Sequence, residues 1–166
     1  SVHVEARCEL SETTGLEIIV QGENAEVAHV VVPAAGEIGI EVAVAGTVEP
    51  WQPNGRGEQP LYLVRCRLLG SERTILDEEV RVVGFRQIEW KQCEGAPEGA
   101  EPWICCVNGQ DLFLQGANWV PIRMTYGSVT APMYHKLLTT YVGLGFNLLR
   151  VWGGGILEKQ AFYDYC

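Results

Sequence analysis

One stretch near the C-terminal end, residues 146–155, constrains the fold of this chain more than any other. Its sequence is Phe-Asn-Leu-Leu-Arg-Val-Trp-Gly-Gly-Gly, and its apolar first part is typical of a parallel strand buried on both faces. Arg150 and Trp152 stand at the C-terminal end of this strand, where α/β folds bind their ligands. We therefore take both as candidates for binding a polar, ring-shaped substrate. The alternative is that Arg150 pairs with a buried carboxylate and Trp152 fills a gap in the core.

A strand, a helix and a second strand are predicted in the last third of the chain. The run at 116–121 is the first strand, and Thr130 and Pro132 are suitable residues for the start of a helix. The helix would bury an apolar stripe that consists of Met133, Leu137, Leu138 and Tyr141. It would end at Gly143 or Gly145, before the strand at 146–151. The order predicts a βαβ unit, and a second helix from about Leu157.

Short strands of alternating polarity are predicted for the first 90 residues. Every even position from Val2 to Leu10 is apolar and every odd one polar, and the alternation recurs from Tyr62 to Leu68. About seven such strands separated by turns indicate an immunoglobulin-like antiparallel β-sandwich over 1–90. Trp51 lies between these strands in a loop rich in Pro and Gly, where we expect it to have a structural role rather than to contact a ligand.

The next segment, residues 91–102, is polar and rich in Gly and Pro, which predicts a linker. Residues 103–115 follow, with Asn108 and Gly109 at their centre. Because Asn-Gly tolerates the positive φ values of a type I′ turn, this segment is predicted to form a β-hairpin.

Composition narrows the classes of function. With 12 Lys and Arg against 21 Asp and Glu, the net charge of −9 argues against a nucleic-acid partner. No apolar run is long enough for a transmembrane helix, so no membrane partner is expected. The six cysteines contain no Cys-x-x-Cys pair, which predicts free, mostly buried thiols without a metal site and favours a reducing, cytoplasmic compartment. No cofactor is indicated.

Four separated motifs resemble those of β-mannosidases and their relatives in glycoside hydrolase family 2. They are Leu-Arg-Val-Trp-Gly-Gly-Gly-Ile at 149–156 with Phe-Tyr-Asp at 162–164, Gly-Ala-Asn-Trp-Val-Pro at 116–121, Gly-Phe-Arg at 84–86, and the segment at 51–62. Two positions depart from the family pattern. Gln52 replaces a second Trp, and Ile122-Arg123-Met124 stand where the family commonly has an Asp, so the rim of the pocket and its substrate are expected to differ.

The resemblance implies a β-sandwich at 1–90, a linker at 91–102, and at 103–166 the first two β/α units of a TIM (β/α)8 barrel. It implies a retaining glycosidase, which needs two carboxyl groups roughly 5–5.5 Å apart. Both catalytic Glu residues belong to later barrel strands, so no catalytic residue is expected here, neither Glu158 nor Asp164, and the chain would be an inactive fragment. Its expected partners are the remainder of the barrel and a β-mannoside or related β-glycoside.

The residues expected to bind substrate by this resemblance are Trp152, Arg150, Asn118 and Trp119. Trp152 would stack on the sugar, and Arg150 would orient the carboxylate of the nucleophile. Asn118 and Trp119 would complete the wall of the pocket, unless Trp119 only packs.

Two other readings of the chain stay open at this point. In one, the chain is a complete sugar-binding sandwich with a C-terminal βαβ tail, which would leave the apolar strand at 148–151 exposed. In the other, it is a structural module in which Trp51 and Trp90 anchor another domain, and which has no affinity for sugars.

Overall fold

Strands make up most of the regular structure in the computed structural model. The structure describes residues 1–8, 15–33, 36–44 and 48–166, and leaves out the side chains of residues 3, 6–8 and 36–38. The strands are β1 Val2–Cys8, β2 Gly15–Gln21, β3 Glu26–Pro33, β4 Gly36–Val42, β5 Tyr62–Leu69, β6 Ile75–Val83, β7 Ile88–Lys91, β8 Ile104–Val107, β9 Gln110–Leu112, β10 Gly116–Trp119 and β11 Leu148–Val151. The helices are α1 Ala131–Gly143 and α2 Gln160–Tyr165. The prediction of a mainly β chain with antiparallel sheets is confirmed.

The chain divides into two compact units. The first consists of Ser1–Trp51 and Glu58–Arg86, and the second of Gln52–Gly57 and Gln87–Cys166. The predicted division into domains at 91–102 stays a prediction. In the part of the chain that the structure describes, no helix is long and apolar enough to cross a membrane.

Two antiparallel sheets share one core in the first unit. One has the strand order β3-β2-β5-β6, and the other pairs β1 with β4. The alternation predicted from Tyr62 is confirmed, because Tyr62 and Val64 are buried with residues of β2. The buried members of this core are Leu16, Ile18, Val20, Ala28, Val42, Tyr62 and Val64. Leu10, the last residue of the alternation predicted from Val2, lies outside the described residues.

Trp51 packs within the first unit, as its expected structural role requires. Its backbone N–H donates to Phe85 O at 2.8 Å, and the Arg86 guanidinium lies 4.6 Å from the centre of its ring. A methyl group added at Gly84 would lie 2.9 Å from Trp51 Cδ1. Trp51 is therefore held against the segment that follows β6.

Glu17 is buried on the face of β2 that points away from the core. His29 Nε2 lies 3.0 Å from its Oε1, Arg67 donates to its Oε2 at 3.2 Å, and Arg73 donates to Oε1 at 3.3 Å. Burying a carboxylate is costly unless it is paired and hydrogen-bonded, and these three side chains meet that need.

Acidification should destabilise the first unit through Glu17. The hydrogen bond with His29, together with that from Arg67, lowers the pKa of the Glu17 carboxyl below its ordinary 4.5, although burial acts in the opposite direction. A carboxyl whose folded pKa is depressed stabilises the fold above its unfolded pKa, and that stability is lost as the pH falls through the folded pKa. We expect the urea midpoint of the native chain to fall below pH 4.5 more steeply than that of Glu17→Gln. Parallel pH profiles would contradict this assignment.

The second unit begins its regular structure with the three-stranded sheet β7-β8-β9. The predicted hairpin is confirmed, with φ values of 51° at Asn108 and 78° at Gly109. The thiols of Cys66, Cys93, Cys105, Cys106 and Cys166 are free, but Cys93 and Cys166 are exposed, so the prediction of mostly buried thiols holds only in part. The side chain of Cys8 lies outside the described residues.

The predicted βαβ unit is confirmed, because β10 and β11 pair in parallel and α1 lies between them in sequence. Thr130 occupies the N-cap position without a side-chain hydrogen bond. The predicted stripe correctly included Leu138 but missed Tyr134, and both residues are 2 % exposed. Tyr134 precedes Leu138 by four residues, so both lie on the face of α1 that meets the strands. The second helix starts at Gln160, later than predicted.

The turn after α1 is closed by a Schellman motif. Phe146 N–H donates to Tyr141 O at 3.1 Å and Gly145 N–H donates to Val142 O at 2.9 Å, while Gly145 has a φ of 78°. The Asn54 side-chain amide, from the 52–57 segment of the same unit, donates to Val142 O at 3.1 Å and to Phe146 O at 3.0 Å. This loop therefore fixes the entry into β11.

Candidate functional site

The two faces of the β10–β11 pair differ completely in their surroundings. Trp119 and Val151 are register partners on the face that packs against the helices. Asn118 and Arg150 are partners on the opposite face, because successive side chains of a strand alternate. Leu148 lies on this second face and is 44 % exposed. The prediction that this strand is buried on both faces is therefore wrong for the chain as described, in which helices cover one face only.

Arg150 and Asn118 are brought together on the exposed face. Arg150 Nη1 donates to Asn118 Oδ1 across a long 3.4 Å hydrogen bond. Among the described residues no ion pair includes Arg150, so the alternative of a buried salt bridge finds no support. A guanidinium has five N–H donors in a planar fork that suits carboxylates and vicinal hydroxyls. This face therefore presents a cation and an amide to whatever binds there.

Trp152 follows directly at the end of β11. Its backbone N–H donates to Trp119 O at 2.8 Å, which continues the pairing of the two strands by one residue. Its side chain is 47 % exposed, so it does not fill a gap in the core. The half-exposed indole offers one apolar ring face of the kind on which a sugar ring can stack.

The glycines after Trp152 leave room for its ring. A methyl group built at Gly154 would lie 2.6 Å from Trp152 Cε2 and 2.7 Å from Cη2, closer than real carbon atoms approach. A methyl group at Gly155 would lie 3.0 Å from Pro121 Cγ. The indole therefore rests on the backbone of its own turn, and Gly154 is the position at which any side chain would displace it.

The side chain of Trp119 lies on the helix-covered face of the strand pair, apart from the side chains of the other three predicted site residues. It is 1 % exposed, its ring centroid is 4.8 Å from that of Phe162, and the rings of Tyr134 and Tyr141 flank it. Its indole N–H donates to Glu158 Oε1 at 2.9 Å. Sequence position could not distinguish Trp119 from Asn118, since the two are neighbours on one strand, but the alternation of the strand turns them to opposite faces.

Glu158 and Asp164, the two carboxylates considered in the sequence analysis, both accept hydrogen bonds from other side chains. Glu158 lies before α2, and not within the helix predicted from about Leu157. Its other oxygen accepts a hydrogen bond from the Tyr134 hydroxyl. Burial first, and then this bond to Glu158, raises the pKa of Tyr134. Asp164 accepts a bond from Gln160 at 2.8 Å. On the exposed face, the described residues of β10 and β11 include no carboxylate that could pair with another across a glycosidic bond.

No metal site emerges from the described part of the chain, where no three His, Cys, Asp or Glu side chains are placed to share an ion. A groove of about 440 Å³ lies within the first unit. Its described lining is aliphatic and charged, with no aromatic ring, and consists of Val2, Val4, Glu5, Leu16, Val64, Cys66, Leu68, Asp77, Glu78, Glu79, Arg81 and Val83. Sugars are usually held by stacking on aromatic rings, so this groove does not favour a sugar-binding sandwich.

Comparisons with known proteins agree with this architecture. No protein-family model matches the chain. β-Mannosidase from Capra hircus is 35 % identical over 129 residues, which is 76 % of this chain and 14 % of that protein. The crystal structure of β-D-mannosidase from Dictyoglomus thermophilum superposes with a TM-score of 0.81 and 27 % identity, covering 99 % of this chain and 21 % of that one. A β-galacturonidase of glycoside hydrolase family 2 from Eisenbergiella tayi shares the fold, with a TM-score of 0.66 and 19 % identity over 99 % of this chain and 27 % of that one.

The fold and these similarities assign the chain to glycoside hydrolase family 2. Within that family the chain is β-mannosidase-like, as its motifs indicated. It spans about one seventh of the length of the curated β-mannosidase that it matches, 14 % of the goat protein.

Proposed function

We propose that this chain is part of a retaining glycoside hydrolase that cleaves terminal β-mannosides or related β-glycosides. In this proposal residues 1–90 form an immunoglobulin-like sandwich, 91–102 a linker, and 103–166 the first two β/α units of a (β/α)8 barrel. The observation that carries the proposal is the exposed face of β10–β11, with Asn118, Arg150 and Trp152 at or near the C-terminal ends of two parallel strands. In a β/α barrel this end of the strands is the active-site end.

The two faces of the strand pair support the barrel. Helices of the second unit cover one face, and the other leaves Leu148 and Arg150 exposed. In a barrel the inward face is filled by side chains from the other strands, so it is covered only when the barrel is complete. The remainder of such a barrel is the proposed partner of this surface.

Each site residue has a proposed role that its geometry suits. The half-exposed indole of Trp152 stacks on the apolar face of the sugar ring at the cleavage site. Arg150 orients the carboxylate of the nucleophile, and Asn118 holds the guanidinium through its side-chain oxygen. Trp119 supports this wall from behind. Both catalytic carboxylates come from other strands of the parent protein, so the 166-residue chain alone should have no activity.

The test compares this chain with the protein obtained by reading the same gene to its next stop codon. We expect only the extended protein to release nitrophenol from a panel of nitrophenyl β-glycosides, with the β-mannoside or a close relative preferred. Trp152→Ala should lower kcat/KM roughly 100-fold, which corresponds to about 2.7 kcal/mol of stacking and packing.

The matched control is Trp103→Ala, which removes an indole that is 76 % exposed and outside the proposed site, and should leave kcat/KM unchanged. An extended protein that is inert toward every glycoside, or a reading frame that ends at Cys166, would refute the proposal. Sugar binding by the 166-residue chain, combined with an extended protein that hydrolyses no glycoside, would instead favour a carbohydrate-binding module.

A further inference from the structure

The segment at 152–159, which joins β11 to α2 and will be called the Trp152 loop, is attached at both ends to a single residue. At its start the Trp152 N–H donates to the backbone oxygen of Trp119 at 2.8 Å. At its end Glu158 Oε1 accepts the indole N–H of Trp119 at 2.9 Å. The backbone and the side chain of Trp119 thus fix the two ends of the loop that carries the exposed indole.

The end of the loop is bound to a second element as well. The other oxygen of Glu158 accepts a hydrogen bond from the Tyr134 hydroxyl on α1. Next to it, Lys159 Nζ donates to Val129 O at 2.6 Å and to Gly127 O at 3.3 Å, in the segment before α1. These contacts leave little freedom for the C-terminal half of the loop.

Among the residues that the structure describes, Glu158 is the acceptor for two buried side-chain donors. Trp119 is 1 % exposed and Tyr134 is 2 % exposed, so the indole N–H and the phenol O–H have no ready access to water. Buried donors without a partner are costly, and a single carboxylate with two oxygens can satisfy both at once. An apolar residue at position 158 would leave both donors unsatisfied and would release the end of the loop.

We propose that Glu158 is a positioning residue, which acts through Trp119 and Tyr134 to hold the Trp152 loop and thereby sets the direction of the Trp152 indole. Trp119 then affects the substrate only through this loop. The consequence for substrate rests on the proposed glycosidase function, but the effect on Trp152 can be measured without any activity.

The structural test uses the 166-residue chain labelled with ¹⁵N-tryptophan. Its five tryptophans give five indole N–H signals, each assigned by a single Trp→Phe substitution. In Glu158→Leu we expect the signals of Trp119 and Trp152 to move, while those of Trp51, Trp90 and Trp103 stay in place. Glu158→Gln should leave Trp152 near its native position, because the Gln oxygen can accept from the indole and its amide can donate to Tyr134 oxygen.

Tyr134→Phe is the second variant, and it removes one of the two bonds while keeping the ring. It should move the Trp152 signal in the same direction as Glu158→Leu, by a smaller amount. If the Trp119 signal moves and the Trp152 signal stays in place in both variants, Glu158 merely satisfies the buried indole N–H of Trp119, and the proposal is overturned. This criterion holds even if Glu158→Leu disturbs all five signals, because Tyr134→Phe then decides alone.

In the extended enzyme, we expect Glu158→Leu to raise KM about tenfold with kcat within about twofold, since misdirected stacking weakens substrate and transition state alike. Glu158→Gln should restore the native KM. An equal KM in the native enzyme, Glu158→Leu and Glu158→Gln would overturn the proposed effect of Glu158 on substrate binding. An extended protein without activity would refute the glycosidase proposal and leave the indole signals as an independent test of the positioning.

Discussion

Replacement of Gly116 by Ala should destabilise the second unit by about 3 kcal/mol or more. A methyl group at this position would overlap the carbonyl oxygen of Leu148 and lie 2.8 Å from its carbonyl carbon. The neighbour is backbone, so no change of rotamer can relieve the overlap. The first register pair of the parallel strands, Gly116 with Leu148, would have to separate.

Hydrogen–deuterium exchange followed by mass spectrometry measures this effect locally. We expect much faster exchange in peptides that cover β10 and β11, with little change in those from β2 and β5. Gly153→Ala is the matched control, because a methyl group there would meet no atom within 4 Å. Equal exchange in Gly116→Ala and Gly153→Ala would show that the strands do not approach as closely as described.

Trp119→Ala is expected to cost about 3–5 kcal/mol of stability. The substitution removes an indole that is 1 % exposed and lies among the rings of Tyr134, Tyr141 and Phe162. It opens a cavity and also deprives Glu158 of the donor at 2.9 Å. Urea unfolding followed by far-ultraviolet circular dichroism gives the free-energy difference.

Trp103→Ala serves as the control for this second substitution. Its indole is 76 % exposed, so its removal should change the free energy of unfolding by no more than about 0.5 kcal/mol. A cost below about 1 kcal/mol for Trp119→Ala would mean that its indole is not part of the core, and would return Trp119 to the list of residues able to contact a ligand.

Periodicity and turn chemistry predicted much of this fold. The alternation from Tyr62, the Asn108-Gly109 hairpin and the βαβ unit all appear where local patterns indicated them. These features depend on neighbouring residues, so the sequence records them directly. The start of α2 was missed, because a helix was predicted from about Leu157, which in the structure is 84 % exposed and precedes the helix.

The site was harder to predict than the fold. The sequence indicated that Asn118, Trp119, Arg150 and Trp152 lie near two strand ends, and the structure brings Asn118 and Arg150 together. The sequence did not indicate which face of the strands each side chain occupies, because that depends on where the helices pack. The contacts of Glu158 and Tyr134 with Trp119 were missed for a related reason. Their partner Trp119 is 39 and 15 positions away in sequence, and only packing brings the three together.

The hydrogen bonds from Asn54 to the turn after α1 bear on the order in which the parts of the second unit come together during synthesis. Asn54 donates to Phe146 O, 92 residues further along, and it belongs to the short piece Gln52–Gly57 of the second unit. During synthesis this piece leaves the ribosome long before the helix whose end it caps. The second unit is thus assembled around a part that already exists, and a polypeptide starting at Gln87 would fold without the two hydrogen bonds from Asn54.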